Sequence, residues 1–360
     1  MGEINQFPCE ACGAVLSYAP GTTSLECSYC GHTNAIVADE TATVDEIGFH
    51  DGLRASRSAD QTIEATTTRC GACAAEFTLD PGVTAGACPY CGHNVVSEPQ
   101  AHTLLKPGGL LPFAIDAGEA RDRFRAWIKS LWFAPNNLAR FAKANDAFNG
   151  IYVPYWTYDS QTTSKYQGQR GTNYTVTEKY TTTVKGKSVT RTRQVVRVRW
   201  TPVSGRVARN FDDVLVLASD KLPRKYTDKL EPWDLSQMEA YDPRYLSGFR
   251  SERYCIDLEG GFGIARTIMD KIIRRDVRRD IGGDHQRISS LSTRHDEVSY
   301  KHVLLPIWVA AYRYGGKPFR IVINGRTGEV QGERPYSWLK IAGAVAVAGV
   351  VIAAIVYFTQ

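Results

Sequence analysis

The spacing of hydrophobic and polar residues changes along the chain, and each spacing predicts a different element: a helix, a strand or a membrane span. Between residues 120 and 133, apolar side chains recur at the three- and four-residue spacing of a helix with one buried face. Asp116 and Glu119 precede this stretch with the spacing of a capping box, so we expect the helix to begin there. A second helical pattern, with arginines on its polar face, covers residues 257–279.

From Ile151 to Leu217 the pattern changes to one rich in Tyr, Thr and Val, which is typical of β-strands. Residues 185–187 (Lys-Gly-Lys) are a candidate hairpin turn within it. Strand-like segments with turn residues between them return in the range 302–330. Antiparallel strands with helices at their sides predict an α+β domain over residues 113–335.

Residues 341–358 form a run of eighteen apolar or glycine residues without a charge. At about 1.5 Å per residue, a helix of this length spans roughly 27 Å, close to the hydrocarbon thickness of a bilayer. Arg334 and Lys340 flank only its N-terminal side, and by the positive-inside rule they leave the large N-terminal part in the cytoplasm. We therefore expect residues 336–360 to be a C-terminal membrane anchor. The alternative is a buried helix of the globular body.

Eight of the nine cysteines precede residue 92 and form four Cys-x-x-Cys pairs. These pairs make two sets, with fourteen residues between the pairs of each set, and the second set repeats the first at an offset of 61 residues. The eight residues are Cys9, Cys12, Cys27, Cys30, Cys70, Cys73, Cys88 and Cys91. The segment from Tyr29 to His32 recurs at the same offset, so the pattern predicts an internal repeat of two similar units.

Two Cys-x-x-Cys turns at the ends of a short hairpin supply four thiolates to one tetrahedral ion, as in a zinc ribbon. Four protein ligands leave no open position, so we expect two structural Zn²⁺ sites. Disulfides are the first alternative to zinc, but they are typical of secreted proteins, and residues 1–20 show no signal peptide. A redox dithiol is the second, but it would need one Cys-x-x-Cys pair beside a βαβ unit. Zinc ribbon 1 is therefore predicted at residues 1–37 and zinc ribbon 2 at residues 68–98.

Charge is distributed unevenly between these regions. The net charge is +5, but residues 1–100 carry three basic and thirteen acidic residues, a net of −10, and the rest of the chain carries +15. This division excludes a uniformly basic nucleic-acid coat protein. Residues 38–67, with seven acidic and two basic groups, are predicted to be a solvated linker, and residues 99–112, with three prolines and two glycines, a second one.

The most basic part of the chain is residues 160–209, where eleven Lys and Arg accompany one acidic residue, Glu178. In a strand over residues 189–200, four arginines would project from one face, with Val196 and Trp200 on the other, core-like face. The four are Arg191, Arg193, Arg197 and Arg199. Such a row of arginines attracts phosphate groups, either in anionic lipid head groups or in nucleic acid. The same pattern is also compatible with a solvated strand face or with an acidic protein partner.

No motif in the chain indicates catalysis. It contains no G-x-x-x-x-G-K-[ST] phosphate loop, no His-Glu-x-x-His and no G-x-S-x-G. The pairs Asp284-His285 and His295-Asp296 lie in a polar stretch, where surface positions are expected. Gly260-Gly261-Phe262-Gly263 opens a predicted helix, where capping or packing is expected. We therefore expect a protein that is not an enzyme, with an unrecognised pocket in residues 113–335 as the alternative.

The cysteine ribbons and four body segments together resemble a bacterial family of membrane-anchored, TFIIB-type zinc-ribbon proteins. Its members are often labelled primosomal protein N-prime (replication factor Y), helicase superfamily II-like. The body segments that carry the resemblance are Val153–Asp159, Trp200–Gly205, Leu230–Leu235 and Leu304–Trp308. The resemblance implies that the eight cysteines bind zinc. It implies nothing catalytic, because a helicase requires the phosphate loop that this chain lacks.

These features together predict a tail-anchored cytoplasmic adaptor, held by one span in the bacterial inner membrane, whose zinc ribbons bind protein partners. Contact with anionic lipid head groups through the basic region is compatible with this arrangement. A nucleic-acid-binding protein linked to replication or transcription is the alternative, and acidic ribbons disfavour it. Gly349 and Ala353 have the small-xxx-small spacing of packed membrane helices, which leaves a homo-oligomer open.

Overall fold

The fold was taken from a computed structural model of the 360-residue chain. It describes residues 7–37, 44–55, 62–70, 76–77, 85–88, 90, 94–96, 100–138, 140, 148–184, 187–315 and 317–359. Cys73, Cys91 and His93 of the predicted second ribbon lie outside the described residues, as do parts of both predicted linkers.

Five α-helices occur among the described residues. In chain order they are α1 (Phe49–Ala55), α2 (Ala117–Ser130), α3 (Arg224–Thr227), α4 (Leu258–Ile281) and α5 (Trp338–Thr359). Two 3₁₀ helices, Leu235–Gln237 and Pro243–Leu246, lie between α3 and α4. The cap of α2 follows the sequence prediction, since the side chain of Asp116 accepts a hydrogen bond from the Glu119 N–H at 2.8 Å. The side chain of Asp257 caps α4 in the same way, accepting from the Gly260 N–H at 2.8 Å.

The strands form one large sheet and several small ones. In chain order they are β1 (Ser17–Tyr18), β2 (Ser24–Glu26), β3 (Thr33–Ala35), β4 (Ile47–Gly48), β5 (Thr62–Arg69), β6 (Glu76–Phe77), β7 (Ala85–Ala87), β8 (Asn94–Val96), β9 (Gln100–Leu105), β10 (Gly109–Leu110), β11 (Asn149–Val184), β12 (Lys187–Leu217), β13 (Glu239–Ala240), β14 (Arg250–Ser251), β15 (His285–Tyr314), β16 (Lys317–Asn324) and β17 (Val330–Gly332). The small sheets are β1-β2-β3, β6-β5-β9 and β7-β8.

The large sheet has the order β12-β11-β15-β10-β13, with β14, β4, β16 and β17 attached at its sides. Its three long strands, β12, β11 and β15, are antiparallel to one another. This confirms the predicted α+β body with a large antiparallel sheet. The 36 residues of β11 reach about 120 Å along the strand at about 3.3 Å per residue.

Helix α4 covers one face of the long strands. Its fully buried positions recur every four residues from Gly261 to Ile281, so one stripe of the helix follows the sheet. The side chains of Trp156 and Tyr158 donate hydrogen bonds to backbone oxygens at the start of this helix, at 2.9 and 2.7 Å. A Cβ at Gly261 would collide with both of these rings, so the glycine permits the close approach. The Gly260–Gly263 cluster therefore caps and packs the helix, as expected.

Some residues in the predicted linkers take part in the sheets. In the range 38–67, β4 pairs with β15, and Phe49 of α1 is buried beside Phe262 of α4. In the range 99–112, β9 pairs with β5, and β10 lies between β15 and β13. β4 and β10 are only two residues long and carry no hydrophobic period, so the sequence pattern could not reveal them.

The two ends of the long sheet differ. At one end, β15 pairs with β16 and β16 with β17, and α5 begins six residues after β17 ends. At the other end, the first residue of β15, His285, pairs with Gly171. Beyond that pair, β11 and β12 continue alone to Val184 and Lys187, which pair across the candidate turn. The apolar helix and the free hairpin therefore lie at opposite ends.

Candidate metal centre and basic β-ribbon arm

The first two Cys-x-x-Cys turns have the same backbone geometry. In each turn, the N–H of the first cysteine donates to the residue five positions later, from Cys9 to Ala14 at 2.7 Å and from Cys27 to His32 at 2.9 Å. The glycines at Gly13 and Gly31 have φ of +76° and +72°, the left-handed region that favours glycine. Glycine thus closes both turns.

These turns bring four sulfurs together. The Sγ atoms of Cys9, Cys12, Cys27 and Cys30 lie within 4.8 Å of one another. Cys9 Sγ is 3.6 Å from Cys30 Sγ, and Cys12 Sγ is 3.5 Å from Cys27 Sγ. A tetrahedral ion with Zn–S bonds of about 2.3 Å would hold its sulfurs about 3.8 Å apart. The four residues therefore fit Zn²⁺, and they form a four-cysteine cluster that could bind it.

Backbone dipoles support a thiolate at Cys27, whereas hydrogen bonds to neighbouring thiols raise the pKa of Cys12 and Cys30. The N–H groups of Cys30 and Tyr29 point at the sulfur of Cys27 and lower the pKa of that thiol to about 7. Because zinc binds thiolates, a lowered pKa favours metal binding at neutral pH. Cys9 and Cys27 are buried, whereas Cys12 and Cys30 are exposed, so one side of the cluster faces solvent.

The first ribbon is fixed to the body through its hairpin. The Tyr18 hydroxyl donates to the carbonyl of Phe113 at 3.2 Å, and the ring of Tyr18 packs edge-on against Tyr245 at 5.1 Å. The Ser247 hydroxyl donates to the Leu16 carbonyl at 2.6 Å. The opposite end of the ribbon stays in solvent, where Tyr29 is 84% exposed.

Two cysteines of the second set are described, and both are buried. Cys70 and Cys88 lie in the same core cluster as Leu222, Leu230 and Trp233. With Cys73 and Cys91 outside the described residues, a second four-cysteine site stays a prediction.

Tyr90 fixes this second region to the body. It is 1% exposed, and its hydroxyl donates to the Glu252 carboxylate at 2.8 Å. The Ser219 hydroxyl donates to the other oxygen of that carboxylate at 2.5 Å. Burial raises the pKa of Glu252 to about 7. Sequence reasoning missed Glu252 because its partners are 162 and 33 residues away in the chain.

The four arginines of the basic region lie on one exposed face, as the strand period predicted. They belong to a two-stranded hairpin of residues 172–184 and 187–199, which we call the β-ribbon arm. Glu178 accepts from Arg197 at 2.5 Å and from Arg193 at 3.2 Å, and these two contacts lower its pKa. Arg193 lies 5.7 Å from the ring centre of Tyr180 and Arg199 5.1 Å from that of Tyr174.

The opposite face of the arm differs from the prediction. Val196, expected in the core, is 63% exposed, and Trp200 is only half-buried, beside the guanidinium of Arg287 at 3.9 Å. The physical reason is that β15 and α4 end before this part of the hairpin. Alternation alone does not say whether anything covers the apolar face.

An acidic cluster at a bulge in β11 was not anticipated. Carboxylate oxygens of Glu46, Asp159 and Asp212 lie within 4.8 Å of one another. Burial raises the pKa of Asp159 to about 6. The Lys301 amine, 8% exposed, lies 3.2 Å from Glu46 and 2.9 Å from Asp213. This lysine compensates part of the negative charge, and the cluster connects the segment before α1 to the sheet.

The histidine–aspartate pairs of the sequence take other partners. Asp284 accepts from the Asn173 N–H at 2.7 Å, and the His285 ring contacts the Asn173 side chain at 3.0 Å. Asp296 accepts from Arg294 at 2.8 Å. The contacts of Asp284 and His285 connect the start of β15 to β11, and that of Asp296 stays within β15, so the described geometry joins neither pair into an acid–base unit.

Helix α5 is long and apolar enough to cross a membrane. Its segment Trp338–Phe358 has a mean hydropathy of 2.6 and is not buried against the body. At its start, the Lys340 amine donates to the carbonyls of Trp132 and Ala134 at 3.0 and 2.8 Å, and the Ser337 N–H donates to that of Phe133 at 2.7 Å. The alternative of a helix buried in the body does not fit this exposure.

Comparison with known proteins shows a similarity that covers most of the chain. No family model matches the chain, and no solved structure matches it. The chain is similar to the uncharacterized protein YdjG of Bacillus subtilis (strain 168), with 27% identity over 347 residues that cover 94% of this chain and 92% of that protein. The resemblance to TFIIB-type zinc-ribbon proteins stays a prediction. The likeness to this distant homologue extends well beyond the cysteines, through the body of the chain.

Proposed function

We propose that this protein is a membrane-anchored adaptor whose zinc ribbons bind protein partners on the cytoplasmic side of a bacterial inner membrane. The observation that carries the proposal is helix α5, 21 residues of which are apolar enough to span a bilayer and lie outside the body. A helix that exposes this much apolar surface is stable in lipid, whereas in water it would promote aggregation.

The orientation of the anchor is proposed from charge. Arg334 and Lys340 precede the apolar segment, and basic residues next to a span favour the cytoplasmic side. The large body then faces the cytoplasm, where glutathione and thioredoxin keep cysteines reduced. Reduced cysteines are the form that binds zinc.

A second zinc site is part of the proposal. The pairing of β7 with β8 has the register of β2 with β3 shifted by 61 residues: Ser24 pairs with Ala35, and Ala85 pairs with Val96. This offset is the one that separates the two cysteine sets. It supports a second ribbon held by Cys70, Cys73, Cys88 and Cys91.

Membrane extraction tests the anchor. Full-length protein should remain in the membrane pellet after a carbonate wash and dissolve in detergent, whereas a variant ending at residue 335 should be soluble. A full-length protein that stays in solution without detergent would disprove the anchor. Protease digestion of intact spheroplasts should leave the body protected, and its digestion there would reverse the proposed orientation.

Partner binding tests the adaptor part. Affinity purification from detergent-solubilised membranes should recover the same proteins with wild type and with Cys255→Ser, a control outside the ribbons. Cys9→Ser should lose partners that depend on the first ribbon. Identical recoveries from Cys9→Ser and wild type would count against ribbon-mediated binding.

A further inference from the structure

The β-ribbon arm is a narrow projection of the sheet. Beyond the pair of Gly171 with His285, each strand continues for thirteen residues, which is about 40 Å. Helix α4 also ends at this level of the sheet: the Arg170 side chain donates to the carbonyl of its last residue, Ile281, at 2.5 Å. The arm is therefore two strands wide, and both of its faces are open in the described part of the chain.

Such a hairpin gains little stability by itself. Two strands without a covering layer are marginally stable in water, and three strands or a packed helix are usually needed. The arm leaves Tyr174 37%, Tyr180 39% and Val196 63% exposed. Its length and its exposed rings fit a surface that is completed by a binding partner.

The charge of the arm selects the partner. Residues 172–199 carry seven Lys and Arg and a single carboxylate, Glu178, for a net charge of +6. That carboxylate is already shared between Arg193 and Arg197. Arg278 and Arg279 at the end of α4 are exposed on the same side of the sheet and extend the basic surface. The partner is therefore an extended polyanion.

Among polyanions, the geometry disfavours the anchoring membrane. The arm and helix α5 lie at opposite ends of a sheet whose longest strand reaches about 120 Å. Duplex DNA fits better, because its major groove, about 12 Å wide, admits a two-stranded β-ribbon. Arginines along one face would meet its phosphates, and the tyrosines beside them would pack on the groove wall.

We propose that the β-ribbon arm, residues 172–199, binds double-stranded DNA, with Arg191, Arg193, Arg197 and Arg199 on the phosphate backbone. This activity goes beyond the adaptor function and does not depend on it. Binding is expected to be insensitive to base sequence and to weaken steeply with salt, because counterions are released from the duplex.

The test uses full-length, zinc-loaded protein in nanodiscs of phosphatidylcholine and a fluorescent 25-base-pair duplex of arbitrary sequence. Anisotropy titrations at several salt concentrations give the slope of log K against log salt. Each phosphate contact contributes about one unit, so changing the four arginines to Ala should flatten the slope by about four units. Affinity at low salt should fall at least about tenfold.

A matched control removes the same charge at the other end of the molecule: Arg125, Lys129, Arg313 and Lys317, all exposed, changed to Ala. This variant should bind DNA as wild type does. Equal losses in both variants would overturn the proposal, because binding would then reflect total charge. Absence of DNA binding by wild type would overturn it as well.

Three further measurements test the remaining explanations. Changing the four arginines to Lys keeps the charge and should keep most of the salt slope; if it loses binding as the Ala variant does, phosphate contact by the arm is wrong. Stronger binding of the arm to phosphatidylglycerol vesicles than to DNA would overturn the proposal in favour of lipid. Membrane extraction of the Ala variant should be unchanged, so failure of DNA binding is distinguishable from failure of the anchor.

Discussion

Tyr29 and Tyr90 occupy the same place in the repeated cysteine pattern, and the fold uses them in opposite ways. Tyr29 is 84% exposed at the tip of the first ribbon, whereas Tyr90 is 1% exposed and donates a hydrogen bond to buried Glu252. One repeat is held to the body by its hairpin and the other by this tyrosine. The difference shows how two copies of one sequence pattern can take two roles: one tyrosine is bonded inside the body, and the other remains accessible.

The largest expected effect comes from the cysteines. Cys27→Ser and Cys88→Ser should each lower the zinc content of purified full-length protein from about two ions per chain to about one, because a structural site needs all four ligands. Metal analysis by mass spectrometry measures this directly. An unchanged zinc content in Cys88→Ser would contradict a second zinc site. Only the first cysteine set would then form a zinc ribbon.

The next effect distinguishes the two tyrosines. Tyr90→Ala should lower the free energy of unfolding by about 3–5 kcal/mol, since it empties a buried aromatic position. Tyr29→Ala should change it by less than about 0.5 kcal/mol, since its ring lies in solvent. Denaturant titration of each full-length variant in detergent provides the values. Similar losses in both variants would show that the exposed tyrosine is also structural.

A pH effect is expected at the acceptor of Tyr90. The folded-state pKa of Glu252 is raised to about 7 from an ordinary value of 4.5, so the folded protein keeps this proton while the unfolded chain releases it. Stability should therefore fall as the pH rises from about 4.5 to about 7, by an amount on the order of 3 kcal/mol. Glu252→Gln should flatten this dependence in unfolding curves measured across that range. A slope that persists in the variant would assign the effect to other groups.

The smallest effect isolates one hydroxyl. Tyr90→Phe should cost about 1–3 kcal/mol because it removes a buried hydrogen-bond donor to Glu252. Tyr29→Phe is the matched control and should leave stability unchanged. The comparison can be made by thermal unfolding of the two variants at one pH. A neutral Tyr90→Phe would mean that apolar packing alone holds the second region.

Sequence patterns predicted the parts of this molecule that depend on local chemistry. Spacing of Cys9 to Cys30 predicted the sulfur cluster, because ligand geometry is set within a few residues of each turn. Asp116 predicted the start of α2 within one residue, because capping is a local hydrogen bond. The eighteen-residue apolar run predicted α5 because the length and hydrophobicity of such a helix depend only on residues next to one another in the chain.

Long-range contacts could not be predicted in this way. Glu252 meets Tyr90 only because the fold joins segments 162 residues apart, and no periodicity in either segment indicates it. The exposure of Val196 depends on where β15 begins, at His285, almost ninety residues further along the chain. Strand alternation correctly predicted the side of the hairpin on which the four arginines lie. It could not show that the opposite side is exposed to solvent.

The hydrogen bonds from Lys340 to Trp132 and Ala134 have a mechanical consequence. They fix the first turn of α5 to the body, so that with α5 in a bilayer, as proposed, the helix cannot relieve a mismatch with bilayer thickness by sliding. In a thinner bilayer it would have to tilt, and the body would tilt with it. A tilt of about 10° at one end of a sheet about 120 Å long displaces the other end by about 20 Å. A change in bilayer thickness would thus change the position of the β-ribbon arm, because a small rotation of α5 becomes a large displacement at the far end of the sheet.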